Sequence, residues 1–213
     1  MTIKAVVVTF PGTNCDEDTV KACERVGFDV EKIWHTSTTL PECDIVFLPG
    51  GFSYGDYVSA GRIAKFSPII ARIKDIIEKK SALVVGICNG FQILCEIGAL
   101  QGALLVNQND KFYNANEQII FENKELTLPV AHIEGRFWAN EEQLSFINEK
   151  NMAFLKYKNN FNGSIENIAG LYDTDNRVIG LMPHPERAAF EELNLCDGIE
   201  FFEFLKREVN NAK

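Results

Sequence analysis

Short, wholly apolar runs alternate with stretches of helical period through the first half of the chain. Ala5–Thr9, Ile45–Leu48 and Ala82–Val85 are aliphatic or nearly so, and Asp29–Trp34 is a fourth, more polar strand-like segment. Between them the apolar residues recur every three or four positions. The clearest such segment is Ser67–Lys79, where Ile69, Ile70, Ile73, Ile76 and Ile77 share one face, Pro68 takes the first turn and Ser67 is the expected N-cap. A further helical segment runs from Phe91 to Ile97. Strand–helix–strand repetition of this kind predicts a parallel sheet with helices on both faces.

The second half changes period. Gln118–Glu122 and Leu126–His132 bracket Asn123-Lys124-Glu125, while Ile168–Tyr172 and Val178–Met182 bracket Asp173-Thr174-Asp175-Asn176. Turn-forming residues between two apolar stretches read as hairpins. An amphipathic helix over residues 198–209 follows, with Phe201, Phe202, Phe204 and Leu205 on its inner side. No linker, repeat or low-complexity tract interrupts the pattern. The expectation is a single α/β domain over residues 1–213. It has three layers, with a mostly parallel central sheet, helices on both faces and antiparallel hairpins in the C-terminal half.

Composition narrows the partners. A chain of 213 residues that is 46% apolar can bury a sizeable core. The formal charge of −9, with no cluster of lysine or arginine, sets nucleic-acid binding aside. No apolar stretch approaches the ~20 residues needed to cross a bilayer, so no membrane association is expected. The first strand begins almost at once, without a secretory signal pattern, so a soluble cytoplasmic protein is expected. None of the cysteines (Cys15, Cys23, Cys43, Cys88, Cys95, Cys196) stands in CxxC spacing, and no metal site is expected. Nor does the even count imply disulfides in such a chain. Most read as small core residues.

Cys88 differs because of its neighbours. Gly86-Ile87-Cys88-Asn89-Gly90 follows the run Ala82–Val85 and precedes the helix, so the cysteine stands at a strand-to-helix corner with glycine two residues away on each side. Glycine permits a tight turn that a Cβ would obstruct, and the corner pushes the cysteine outward as a nucleophile elbow. The first N–H groups of the helix then face the sulfur, a setting that suits an anion.

A nucleophilic thiol needs a base, and imidazole is the usual one. His35 follows Trp34 at a strand end and has no acidic partner in a readable motif; His132 ends a strand. His184 stands between Pro183 and Pro185, with Glu186 two residues on. A residue before proline is biased to extended backbone, and in an extended stretch positions i and i+2 face the same side. Glu186 is therefore expected to orient one ring nitrogen while the other faces Cys88, as the third member of a triad. An attacked carbonyl also needs donors for its developing oxyanion. The N–H of Asn89 is one candidate, and the N–H of Gly51 in Pro49-Gly50-Gly51-Phe52, just after Ile45–Leu48, is another. His132, with Glu134 and Gly135, either lines the site or closes a strand.

Read alone, each motif has a plainer alternative: a packing turn around a buried cysteine, a proline-stiffened loop, an ordinary glycine turn. Two other functions also fit the chain, a stand-alone cysteine hydrolase of related fold and a non-catalytic interaction subunit. Together the motifs favour catalysis by Cys88, His184 and Glu186.

The same residues resemble the triad-type (class I) glutamine amidotransferases. The family's G-x-C-x-G-x-Q is similar to Gly86-Ile87-Cys88-Asn89-Gly90-Phe91-Gln92, its H-x-E to His184-Pro185-Glu186, and its oxyanion turn to Pro49-Gly50-Gly51. Further stretches resemble, within that class, the glutaminase subunits of phosphoribosylformylglycinamidine synthases: Phe10-Pro11-Gly12-Thr13-Asn14-Cys15-Asp16, the run from Leu48 to Tyr57, Ala131-His132-Ile133-Glu134-Gly135-Arg136, Asn162-Gly163-Ser164, Ile168-Ala169-Gly170 and Met182–Arg187. Two positions depart from those motifs. Ile133 stands where a glycine is usual, and Asn159-Asn160-Phe161 precedes Asn162 where an N-P-N run is more common.

The resemblance implies a flavodoxin-like fold. It also implies a Cys–His–Glu triad that hydrolyses L-glutamine through a thioester, with Gln92 helping to hold the substrate. No cofactor is implied in this chain, which has no P-loop motif. ATP and magnesium are implied in a large synthetase subunit that receives the ammonia, and a small bridging subunit is implied as a second partner.

Overall fold

The computed structural model describes residues 2–56, 60–191 and 195–212. Tyr57, the last residue of one motif quoted above, lies outside them. In chain order the elements are β1 (Lys4–Thr9), α1 (Asp16–Arg25), β2 (Asp29–Trp34), β3 (Ile45–Leu48), α2 (Ala60–Ala64), α3 (Ile69–Lys79), β4 (Leu83–Ile87), α4 (Asn89–Glu96), β5 (Ala103–Val106), β6 (Tyr113–Phe121), β7 (Lys124–His132), β8 (Glu134–Trp138), α5 (Glu141–Glu149), β9 (Leu155–Tyr157), β10 (Ile168–Asp173), β11 (Val178–Leu181) and α6 (Ile199–Asn211).

Nine strands form one sheet in the order β2-β1-β3-β4-β11-β10-β9-β6-β7, and β5 pairs separately with β8. From β2 to β11 neighbouring strands are parallel; from β11 to β7 they are antiparallel. The expected parallel sheet and the expected hairpins are thus both present, and they are joined edge to edge. The parallel half explains the aliphatic runs. β3, β4 and β11 are buried at every position, which needs cover on both faces and an apolar residue at each step. β2 is the edge and largely exposed, and its sequence is accordingly mixed. Helix α6 ties the two halves together. Phe202 packs against Phe47 of β3 at 6.2 Å between ring centroids, and Phe204 meets Phe121 of β6 edge-on at 5.3 Å. Each such buried phenylalanine contributes about 1.5–3 kcal/mol.

Two local expectations change. The first hairpin turns on Glu122-Asn123, both at positive φ (46° and 63°), rather than on Asn123-Lys124-Glu125. Two such residues in succession match the twist of a two-residue hairpin. Glutamate is an unusual occupant there, so the polar residues after it read as the turn. Ser67 does not cap α3. Pro68 occupies that position, and the Ser67 hydroxyl bonds His35 Nδ1 at 2.9 Å and Tyr54 Oη at 3.0 Å. A partly buried tertiary network has taken the hydroxyl that local capping would have used.

Candidate active site

β4 ends at Ile87 and α4 begins at Asn89, so Cys88 alone makes the corner. Its backbone sits at φ 51°, ψ −104°. Positive φ in a residue with a Cβ costs about 1–3 kcal/mol. Surrounding bonds hold it there: Cys88 N–H donates to Leu181 O at 2.7 Å, and Gln92 N–H donates to Cys88 O at 3.1 Å. The flanking glycines act through close approach rather than through φ. A Cβ on Gly86 would lie 2.5 Å from the Gly90 carbonyl, and one on Gly90 would lie 1.9 Å from Leu48 O. Strands β3 and β4 and the start of α4 therefore meet at a separation only glycine allows.

His184 reaches Cys88 because β11 lies beside β4. Leu181 pairs with Ile87, so the two chain segments leave the sheet side by side. Open α/β sheets collect their sites at these C-terminal strand ends. His184 N–H donates to Pro129 O of β7 at 2.8 Å, and Nδ1 meets Glu186 Oε1 at 2.6 Å. Both side chains are buried, at 2% and 0% exposure. The expected extended path through Glu186 is not what forms. Pro185–Ala188 is a 3-10 turn, with His184 at φ −107°, ψ 80°, and the turn swings the carboxylate to the ring. Burial pulls the His184 imidazole toward the neutral form, but the charges of Glu186 and Cys88 and contact with both Cys88 and Cys15 outweigh it. The ring is held well above the ordinary imidazole range.

The glycine turn after β3 packs directly on this group. A Cβ on Gly50 would lie 2.7 Å from His184 Cε1 and 3.0 Å from Cys88 Cβ. Gly51 has φ 136°, a conformation open to glycine, and is closed in by Asn14. The loop between β1 and α1 laces over this turn: Cys15 N–H donates to Gly50 O at 3.3 Å, Phe52 N–H to Gly12 O at 3.2 Å and Tyr54 N–H to Pro11 O at 2.7 Å. It thereby brings Cys15 to the site. Burial raises the Cys15 thiol above its ordinary range, while His184 beside it pulls the other way.

Between Cys88, Gln92, Ala131, His132, Ile133 and Glu134 lies a narrow cleft with about 10 Å³ of free space. That is room for about one water. The Gln92 amide is engaged through both of its polar atoms in the wall: Nε2 donates to Glu134 O at 2.7 Å and Oε1 accepts from Asn89 Nδ2 at 3.0 Å. The Asn89 side chain also accepts from Ser53 N–H at 3.0 Å, which ties the corner to the glycine turn. His132 is buried, and neither ring nitrogen has a hydrogen-bond partner among the described residues. Burial first, and the charge of His184 second, push its imidazole down to about 4. Glu134 contributes its carbonyl to Gln92 and lines the cleft. A wider hollow of about 760 Å³ lies at the opposite, N-terminal strand ends beside Lys4 and Ala82. Its Arg72 and Lys79 pair with Asp75, and it lies away from Cys88 and His184.

Two contributors to the site were not singled out from sequence. Cys15 lay within a quoted motif but read as a core thiol. Asn107 donates through Nδ2 to His132 O at 2.9 Å and fixes that segment from a loop with no motif of its own. Gly135, read from sequence beside His132 and Glu134, packs under the His132 ring, where a Cβ would come within 2.3 Å of it.

This sheet, with a cysteine elbow facing a His–Glu pair, has the plan of a glutamine amidotransferase. A family profile for a CobB/CobQ-like glutamine amidotransferase domain matches residues 2–195, and the chain belongs to that family. Among curated relatives, phosphoribosylformylglycinamidine synthase subunit PurQ of Nostoc sp. is 41% identical over 221 aligned positions, covering 97% of this chain and 98% of that one. The Thermus thermophilus protein of the same name is 43% identical, with 95% and 97% covered. Among solved structures, a chain of PurLQS from Thermotoga maritima superposes with a TM-score of 0.86 at 36% identity, covering 100% of this chain and 99% of that one.

Proposed function

We propose that this chain is the glutaminase subunit of a phosphoribosylformylglycinamidine synthase. It hydrolyses L-glutamine to glutamate and ammonia and passes the ammonia to a synthetase subunit, which converts formylglycinamide ribonucleotide to its amidine in purine biosynthesis. Two lines support this reading: the relatives' names at 41–43% identity over nearly the full chain, and the PurLQS assembly as structural neighbour. The observation that carries the chemistry is the placement of Cys88 and the buried His184–Glu186 pair on the ends of adjacent strands.

In this reading the Cys88 sulfur attacks the δ-carbonyl carbon of glutamine. The C–N bond breaks, and His184 gives the leaving nitrogen the proton it needs to depart as ammonia. Glu186 orients the ring and stabilises its charged form. The N–H groups of Gly51 and Asn89 receive the oxyanion, where loss of one donor costs about 3 kcal/mol of barrier. Water activated by His184 then cleaves the thioester, releasing glutamate and the free thiol. His132 and Glu134 line the substrate cleft, and Gln92 holds its wall in place. At neutral pH bulk water would protonate the ammonia and remove its nucleophilicity, so an enclosed path to the partner is part of the function. ATP and magnesium act in the synthetase, a small bridging subunit joins the assembly, and the whole works in the cytoplasm. Among the described residues no helix is long and apolar enough to cross a membrane.

The test is Cys88→Ala in the assembled synthase. Glutamine-dependent synthesis should vanish and ammonia-supported synthesis should persist. Retention of glutamine-dependent turnover in that variant would overturn the proposal.

A further inference from the structure

A second hollow lies behind the wall of the Cys88 cleft. It offers about 380 Å³ of free space between α2, α4 and β5, and Gln92 and Glu134 line both spaces. Helix α4 sets their alignment. Cys88, Gln92 and Glu96 follow one another at i, i+4 and i+8, so they share one face of the helix, with about 5.4 Å of rise per turn between them. The hollow thus continues a path that starts at the sulfur. Gly61 lets α2 close its far side: a Cβ there would lie 2.6 Å from Gln92 O and 2.8 Å from Glu96 Cγ. That approach brings Arg62 of α2 into the lining.

Charge along this path is separated by sign. Glu134 is partly buried, and only its backbone carbonyl is engaged, by Gln92. Its carboxylate has no ion pair or hydrogen bond among the described residues. At the other end Arg62 Nε and Lys65 Nζ share the single carboxylate of Glu96, at 3.4 and 3.5 Å, which leaves one positive charge in excess. Exposed pairs of this length hold weakly, so Arg62 turns to another carboxylate at little cost. The head of a free amino acid carries the complementary charges, an α-ammonium and an α-carboxylate on one carbon. In glutamine that carbon stands two methylenes from the amide.

We propose that this hollow is the subsite for the amino-acid head of glutamine. The Glu134 carboxylate receives the α-ammonium, Arg62 receives the α-carboxylate, and the δ-amide lies along Gln92 toward Cys88 once the cleft opens at Glu134. The proposal rests on the glutaminase reading and adds to it what selects the substrate. A primary amide lacking either charge loses one partner, and a glutamine inside a polypeptide loses both. Both residues act on binding, and no bond is made or broken in the subsite.

The test uses the assembled synthase and three amides: L-glutamine, 4-carbamoylbutanoate, which lacks the ammonium, and 4-aminobutanamide, which lacks the carboxylate. The readout is the advantage of glutamine over each analogue, as a ratio of kcat/KM values. An analogue too slow to turn over is read by its inhibition constant against glutamine. Ratios from one preparation do not depend on how much of a variant folds. In Glu134→Gln the advantage over 4-carbamoylbutanoate should shrink about tenfold or more, while that over 4-aminobutanamide holds. In Arg62→Gln the pattern should reverse. A merely structural role cannot produce this crossing. Two ratios that move together, or not at all, in either variant overturn the subsite. Failure of the glutaminase reading looks different: the unaltered synthase would then cleave none of the three amides by way of Cys88.

Discussion

Gly50 faces His184 at a point where a side chain has no room. A Cβ there would stand 2.7 Å from Cε1 of the imidazole and 3.0 Å from the Cys88 Cβ. The absent side chain of one residue thus sets the spacing of two others that come from distant parts of the chain. Gly50→Ala should push the ring off its bond to Glu186. The expected result is a loss of kcat of about tenfold or more, with a stability cost of about 1–3 kcal/mol from overpacking. Steady-state glutaminase kinetics beside urea unfolding would check both. Unchanged kcat would show that the glycine turn yields freely.

Glu186→Gln keeps the shape of the pair at Nδ1 but removes the charge that raises the imidazole. The ring should lose its proton at lower pH, so the His184-dependent limb of the pH–rate profile moves to lower pH. Turnover should fall by about 10²- to 10⁴-fold, the range seen when a triad loses its orienting carboxylate. A profile with an unmoved limb would place the raised imidazole under other control.

His132 and His184 pull stability in opposite directions with pH. His132 titrates at about 4 in the fold against an ordinary 6.5, so the unfolded chain binds its proton first. Its contribution is present above 6.5 and is lost as pH falls toward 4, by about 2 kcal/mol between pH 7 and pH 5. His184 is raised, so its contribution is full below 6.5 and is lost only as pH climbs through the folded value. Urea midpoints of the unaltered protein and of His132→Asn, at both pH values, separate the two. The variant should lose less stability on acidification, and an equal loss would show that His132 is not the acid-labile group.

The cleft beside Cys88, with room for about one water, is too small for glutamine as it stands. Opening it requires His132, Ile133 or Glu134 to move, and contact with a partner subunit is the expected cause. The lone chain should hydrolyse glutamine with a kcat/KM about tenfold or more below that of the assembled synthase. Equal values would place the opening within this chain's own fluctuations.

Much of this was legible one residue at a time. The aliphatic runs announced strands covered on both faces, because only apolar side chains tolerate that burial at every position. Gly86-Ile87-Cys88-Asn89-Gly90 announced the elbow, because a strand-to-helix corner with close backbone approach needs glycine where it occurs. His184-Pro185-Glu186 announced an imidazole with its carboxylate, although the route between them proved to be a 3-10 turn rather than extended backbone.

Other features had no local signal. The hydroxyl of Ser67 went to His35 and Tyr54 because a partly buried network outbids a cap that solvent could replace. Asn107 joined the site through a loop whose sequence carries no period and no motif, and Cys15 through a motif that gave its thiol no direction. The encounter of Cys88 with His184 depended on β11 choosing β4 as its neighbour, a pairing between strands far apart in the chain. Sequence by itself determined which residues must be buried and which carry reactive atoms, since those follow from side-chain chemistry and short-range sterics. Which of them meet was decided only by the tertiary structure, because strand order and loop closure are settled by the packing of the whole core.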